Sequence, residues 1–506
     1  MMLADYLGDE PDILEVISDL SNDEVSTPPK VARQILDLLP ESVWSNPEYR
    51  WLDPGAKSGI FLREITKRLM VGLQEKIPNE QQRLEHILKK MVFGLAITEL
   101  TSLISRRSLY CSKDASAKQS VVQFNSGPGN IWFNRTEHSY VSGKCSECNA
   151  SRADMEKPSK DNHAYAFIHK ESFLKINKEL DMKFDVIVGN PPYQMKGGGG
   201  GTNDTPIYDL FVQQALSLNP KYVSMIIPSR WMAGGRGLDE FRSQLLSDKR
   251  MKAIVDFPNA SEVFPGVDIK GGVCYFLWDR DHKGKCEVTL RRGEESHGPV
   301  GRQLDEFDIF VRDSRAVEIL HKVMDKKETT FETIVSGDTP FGLASNYSPL
   351  RQGTKEAGEI KLHAVKSGSR LEAWIKRDLI TKNVGLIDEW KVLIPEAGSD
   401  GGAKIPDPVL GKPLVAKPAS VCTQTYLAIG PLANESEANN VSEYLTTKFA
   451  RFMISLRKIS QHALRSTYSW LPIQDFSKNW SDKELYAKYK LTKEEQAYIE
   501  YMIKDF

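Results

Sequence analysis

The run Phe184-Asp-Val-Ile-Val-Gly-Asn-Pro-Pro-Tyr-Gln194 constrains the fold more than any other part of the chain. A short apolar strand (Val186, Ile187, Val188) meets Gly189 and then a rigid polar turn. Two consecutive prolines fix the backbone and remove two N–H donors, so nearby carbonyls are left to face a ligand. Asn190 offers an amide oxygen, Pro191 a carbonyl oxygen, Pro192 rigidity and Tyr193 a flat ring. That set suits a planar amine: two acceptors for its N–H bonds and a ring to stack on its heterocycle. Acceptors so placed draw the amine lone pair out of conjugation. The chemistry suggested is methylation of an exocyclic amino group, with adenine N6 the leading case.

The flanking sequence has the rhythm of a parallel sheet. Ser26-Thr27-Pro28-Pro29 marks a helix start, with Val31, Ile35, Leu36 and Leu39 on one face. A strand, Arg50-Trp51-Leu52, ends in Asp53-Pro54-Gly55-Ala56-Lys57-Ser58-Gly59-Ile60-Phe61-Leu62, and a helix follows. A second strand, Met91 to Ile97, runs into Thr98-Glu99-Leu100. Further strands are expected at Tyr222–Pro228, Ala253–Asp256 and Val273–Trp278, with a helix over Tyr208–Leu218. The alternation predicts an α/β, doubly wound, mostly parallel sheet. Residues 111–163 are polar, rich in Ser, Asn and Gly, and read as an inserted subdomain. The expected organisation is an acidic extension over 1–24, a catalytic domain over 25–300 and a mixed α/β domain over 301–506. In the last, helices are expected at Val441–Leu464 and Lys483–Ile503.

A chain of 506 residues is too long for one core. It has no apolar stretch near the roughly 20 residues of a membrane span, and Met1-Met-Leu-Ala-Asp-Tyr is not a basic-then-apolar signal. Six cysteines make no disulfide framework, so a reducing cytoplasm and no membrane are expected. The net charge of −1 leaves nucleic-acid binding to local charge.

The Asp53–Leu62 loop has glycines and a hydroxyl near a helix N-terminus, where a backbone approaches a ligand closely. It is equally readable as an ordinary strand-to-helix connection. Lys57 precedes Ser58-Gly59, so the order needed for phosphate binding is absent. Glu99 is placed to accept ribose hydroxyls, or is simply an acid favoured at a helix start.

Taken in order, Thr27-Pro28-Pro29, Asp53-Pro54…Ser58-Gly59…Phe61-Leu62, Glu99 and Asn190-Pro191-Pro192-Tyr193 resemble the S-adenosylmethionine-dependent DNA N6-adenine methyltransferases of the gamma motif order. Solitary methylases and those of type II restriction-modification systems share that order. Ser469–Phe476 and Leu485–Leu491 are similar to the endings of such methylases. The resemblance implies a class I, Rossmann-like methyltransferase fold, S-adenosylmethionine as cofactor and double-stranded DNA as partner. It also implies a target-recognition role for 301–506 and, in some systems, a separately encoded restriction endonuclease. Asn190, Pro191, Pro192 and Tyr193 would hold and stack the extruded adenine. Asp53, Pro54, Gly55, Ser58, Gly59 and Phe61 would hold the methionine part of the cofactor, with Thr27 and Pro28 at the same end and Glu99 on the ribose. The chain departs from the pattern at Lys57, where Gly is usual, and at Gly94-Leu95-Ala96, where Gly-x-Asp is usual. Glu171 is a candidate for the third family acid. RNA or a protein glutamine as methyl acceptor, or a non-catalytic DNA-binding role, stay open as alternatives.

Three features stand outside that set. Cys145-Ser-Glu-Cys148 has the spacing that puts two thiolates on one metal, with Cys111 and His138, or His163, as further ligands of a structural zinc. A redox pair and plain reduced thiols are the rival readings. Lys448 to Arg465 combines basic residues with an apolar face, and reads either as a helix contacting DNA phosphate or as a core helix with a solvated side. Arg230 and Trp231 either touch DNA or pack, and Gly197–Gly201 is either a lid or a linker.

Overall fold

The computed structural model describes residues 25–506 except 157–163, 174–182, 196–204, 234–236, 268, 349, 400–401, 403 and 459–461. The acidic extension, His163 and the Gly197–Gly201 run therefore lie outside the described residues. The chain divides into two compact units at Asp308/Ile309.

In the first unit, helix α1 (Pro29–Leu36) starts behind Pro28 and buries Val31, Ala32, Ile35 and Leu36. Strand β1 (Trp51–Ala56) is buried throughout and feeds α2 (Ile60–Gly72). After α3 (Glu80–His86), β2 (Val92–Ala96) leads to α4 (Glu99–Tyr110), which opens with a capping box made by Thr98 and Thr101. There follow β3 (Ile131–Trp132) and a hairpin of β4 (Tyr140–Val141) and β5 (Lys144–Cys145). Next come β6 (Val186–Gly189) and the short pair β7 (Gln194–Met195) and β8 (Thr205–Pro206). The unit continues through α5 (Tyr208–Ser217), β9 (Tyr222–Pro228), α6 (Asp239–Ser247) and β10 (Met251–Phe257). It closes with β11 (Val273–Asp279), β12 (Cys286–Arg292) and β13 (Glu295–Arg302).

Nine of these strands form one sheet in the order β13-β12-β10-β11-β9-β6-β1-β2-β3. From β9 to β3 all neighbours are parallel, while β11 runs antiparallel to both β9 and β10. Strands β1, β2, β6 and β9 are buried at every position, as parallel strands covered by helices on both faces must be. The doubly wound sheet expected from the sequence is thus present. Strand order reverses about β1, with β2 on one side and β6 on the other, and ligands of such sheets bind at the carboxyl ends of strands flanking that point.

One boundary needs correction. Residues 111–163 are not wholly an insertion, because Ile131–Trp132 forms the edge strand β3 beside β2. Asn130 fixes it there by donating to the carbonyls of Leu88 and Lys89 (2.8 and 3.1 Å). A two-residue strand carries no periodicity to read.

The second unit holds two three-stranded sheets and a helical end. Their strands are β14 (Glu359–Lys366), β15 (Ser369–Lys376), β16 (Trp390–Pro395), β17 (Leu414–Ala416), β18 (Ser420–Cys422) and β19 (Tyr426–Leu432). Leu362, Ile375, Leu393, Val421 and Tyr426 belong to its core. The helix expected over 441–464 is two helices, α7 (Glu435–Thr446) and α8 (Lys448–Ser455), broken at Thr447, whose hydroxyl caps Ala450 N–H at 3.1 Å. That expected over 483–503 is likewise two, Asp482–Lys488 and Lys493–Met502, each with its own capping box.

Helix α8 packs into the core of its unit. Arg451 is 1% exposed, and its guanidinium donates to the carbonyls of Thr446, Thr447, Pro408 and Lys504. Lys448 pairs with Glu500 and Asp505, and the buried Lys458 donates to Ser399 Oγ at 2.9 Å. Arg457 lies over the Trp470 ring, and Arg465 donates to Glu332 O. The core-helix reading prevails because the cations have internal partners. Among the described residues no helix is long and apolar enough to cross a membrane.

Candidate active site at the carboxyl edge of the sheet

The carboxyl ends of β1, β2 and β6 bring the two motifs together. Thr27, Asp53, Gly55, Lys57, Ser58, Gly59, Ile60, Phe61 and Asn190 line one cleft. Gly59, with φ of 78°, turns the chain into α2, and a Cβ there would come within 3.0 Å of Ser105 Cα. The loop is held from α4: Ser105 Oγ donates to Lys57 O at 3.0 Å and Ser108 Oγ to Ser58 O at 2.7 Å. Sequence reasoning missed both serines; their spacing of three, one helical turn apart, was the available signal.

Asp53 is almost fully buried, and its Oδ1 accepts the Gly55 N–H at 3.1 Å. Burial pushes its carboxyl up to about 7, against the opposing pull of the Gly55 N–H and of Lys57. The two motifs fit closely. A Cβ on Gly189 would stand 2.8 Å from Asp53 Oδ1, and one on Gly55 would stand 3.3 Å from Asn190 O. Only glycine lets β6 and β1 end side by side here.

Asn190 is buried, and its amide nitrogen donates to Val25 O (3.1 Å) and Thr27 Oγ1 (3.0 Å). Those acceptors fix which end of the amide is which. Its Oδ1 is buried and has no hydrogen-bond partner among the described residues. A buried acceptor left alone is costly, and a water or a ligand donor would satisfy it. Lys57, the departure from the family pattern, donates through Nζ to the same Val25 carbonyl at 3.0 Å. Nothing in the sequence flags Val25, since a backbone carbonyl has no residue signature. Pro191, Pro192 and Tyr193 are buried, and burial holds the Tyr193 hydroxyl well above its usual range.

The remaining expected residues fall as follows. Pro28 is the N-cap of α1, and Pro54 lies buried within β1. Glu99 is exposed in the first turn of α4, at this edge of the sheet but outside the cleft lining. Glu171 is exposed. Trp231 is fully buried and edge-on to Phe241, so it packs. Cys111 is exposed at the left-handed C-cap of α4 (φ of 59°) and does not join the other expected metal ligands. His138, Cys145 and Cys148 do come together, and His169 lies with them.

Comparison with known proteins gives consistent findings. A family model described as Eco57I restriction-modification methylase matches residues 90–264. An uncharacterized adenine-specific methylase of Mycoplasma pneumoniae is 38% identical over 316 residues, which cover 57% of this chain and 75% of that protein. Solved structures with similarity include the type IIL restriction-modification enzyme MmeI in complex with DNA, at 12% identity and TM-score 0.46, covering 91% of this chain and 66% of that one. The DrdV–DNA complex matches at 11% identity and TM-score 0.48, covering 90% of this chain and 56% of that one. The chain thus spans somewhat over half the length of these two solved proteins, and neither likeness places a residue of this chain.

Proposed function

The chain belongs to the family of adenine-specific methylases, and from that premise we propose that it methylates N6 of an adenine extruded from a specific site in double-stranded DNA. It acts in the cytoplasm as a site-specific methyltransferase, either solitary or beside a separately encoded restriction endonuclease. The observation that carries this reading is Asn190. Its N–H bonds are held by Val25 and Thr27, and its Oδ1 waits buried for a donor. An exocyclic amine supplies one N–H to that oxygen and the other to the Pro191 carbonyl. Both bonds strengthen as positive charge grows on N6, so they favour the transition state over the ground state. The Tyr193 ring stacks on the base, which leaves the duplex because N6 is otherwise paired and out of reach.

The chemistry of the cleft walls suits S-adenosylmethionine: a buried carboxyl, a glycine-containing strand-to-helix loop and an apolar ring at Phe61. Asp53, Pro54, Gly55, Ser58 and Gly59 would hold its amino-acid part, with Phe61, Thr27 and Pro28 around them and Glu99 on its ribose. When bound it supplies a methyl group activated by a sulfonium. The protein's task is alignment of that methyl with N6.

Transfer of tritiated methyl from labelled cofactor to unmethylated DNA, followed by base analysis, tests the proposal. Label in N6-methyladenine is expected; label in RNA or protein alone would sink it.

A further inference from the structure

Away from the cleft, His138, Cys145, Cys148 and His169 bring one ligand atom each to within 4.8 Å of one another. Cys148 Sγ lies 3.3 Å from His138 Nδ1, and Cys145 Sγ lies 3.6 Å from His169 Nε2. A tetrahedral zinc with Zn–S of about 2.3 Å and Zn–N of about 2.0 Å sets sulfur and nitrogen roughly 3.5 Å apart. The two imidazoles stand edge to face at 5.4 Å, so they approach the common point from different directions.

The backbone is shaped to present these ligands. Ser142 (φ of 50°) and Gly143 (φ of 80°) make a two-residue turn between β4 and β5, which delivers Cys145 at the hairpin's end. From there the chain doubles back: Asn149 N–H donates to Cys145 O and Cys145 N–H to Ala150 O, both at 2.9 Å, with Asn149 left-handed at φ of 61°. This tight loop faces both sulfurs inward, and both cysteines are buried. His169 is oriented from behind. Its Nδ1 lies 2.8 Å from Tyr165 O, and since a carbonyl only accepts, Nδ1 carries the proton and Nε2 presents its lone pair.

We infer that His138, Cys145, Cys148 and His169 form a closed structural zinc site that staples the β4–β5 hairpin to the segment around His169. Four protein ligands leave no open position, so the ion holds shape and does no chemistry. A two-stranded hairpin this short has too little apolar surface to fix itself. The segment it would be tied to carries Tyr165 and Phe167, whose rings meet Phe211 of α5, and Phe173, which meets Phe167. The site therefore anchors the hairpin to a segment packed on α5, the helix that follows the Asn190–Tyr193 turn in the chain.

The full-length chain, purified without chelator, is expected to carry about one zinc per molecule by elemental analysis. After zinc removal, cobalt(II) is expected to give the intense visible bands of a tetrahedral site together with thiolate charge transfer. Cys111→Ser is expected to keep the metal, while His169→Ala and Cys148→Ser lose it. Should those two variants not fold, the native metal content and the cobalt spectrum decide alone. Zinc absent from the native chain with no tetrahedral cobalt signal, metal lost in Cys111→Ser, or a native Cys145–Cys148 disulfide would each overturn the inference.

Discussion

Thr27 and Asn190 stand 163 positions apart in the sequence, and the hydroxyl of one accepts the amide N–H of the other at 3.0 Å. Thr27 also lines the cleft. One side chain thus borders the cleft proposed for the methyl donor and orients the amide proposed to bind the amine, so the two roles are separable by substitution. Thr27→Val keeps the shape and removes the acceptor. Loss of one partner of a buried amide costs about 1–3 kcal/mol, so methylation should slow roughly tenfold or more in single-turnover assays with DNA binding little changed. Thr27→Ser should restore most of the rate.

Asn190→Ala removes the orphaned oxygen itself. Methyl transfer should fall below detection while thermal unfolding and cofactor binding stay close to the parent. Retained activity would refute the role given to Asn190.

Asp53 makes the protein sensitive to pH in a definite direction. Its folded value of about 7 lies above the ordinary 3.8. The stability it allows is therefore fully present below the unfolded value, and is lost as pH rises through about 7. Spread over that interval the loss is on the order of 4 kcal/mol. Asp53→Asn should accordingly unfold at a higher temperature than the parent at pH 8, with the difference shrinking toward pH 4. A cationic ligand favours the ionised carboxyl, so cofactor affinity should rise with pH and binding should release a proton. Calorimetry in buffers of different ionisation enthalpy measures that proton directly.

At Gly189 the clearance is steric. A methyl group there would meet Asp53 Oδ1 at 2.8 Å, and the carboxyl is held by its bond to Gly55 N–H. Gly189→Ala should weaken cofactor binding at least tenfold and lower the melting temperature, read by isothermal titration and differential scanning.

In the second unit, the contacts of Arg451 are those of a residue that holds the fold. Its four carbonyl acceptors and near-complete burial predict that Arg451→Ala destabilises by about 2–4 kcal/mol in denaturant titration. Lys448→Gln should leave the slope of log affinity against log salt unchanged, since a lysine already paired with Glu500 and Asp505 adds no phosphate contact. A slope reduced by about one would return this helix to the DNA interface.

What could be read from the sequence was chemistry carried by side chains and glycines. The strand running into Asn190-Pro191-Pro192-Tyr193, and the loop from Asp53 to Gly59, declare themselves through residue types that few other roles need. The doubly wound sheet followed from their spacing. The unread parts have physical causes of another kind. Val25 acts through a carbonyl, which every residue has. Ile131–Trp132 joins the sheet through two residues and Asn130, too short a stretch for periodicity. Arg451 sits in the core although its pattern fits a solvated face, because carbonyls exposed by a helix break receive it. His169 lies 24 residues beyond Cys145, and no local spacing links the two.

The Val25 carbonyl has a consequence of its own. It accepts from Lys57 Nζ at 3.0 Å and from Asn190 Nδ2 at 3.1 Å, so the two motifs share one oxygen, each on its own lone pair. A ligand that drew Lys57 aside would leave that oxygen to Asn190 alone. Thermodynamic linkage then makes the effect reciprocal, and occupancy by the adenine must alter affinity at the other end by the same factor. If the proposed roles hold, coupling between methyl donor and acceptor would run through a single main-chain atom.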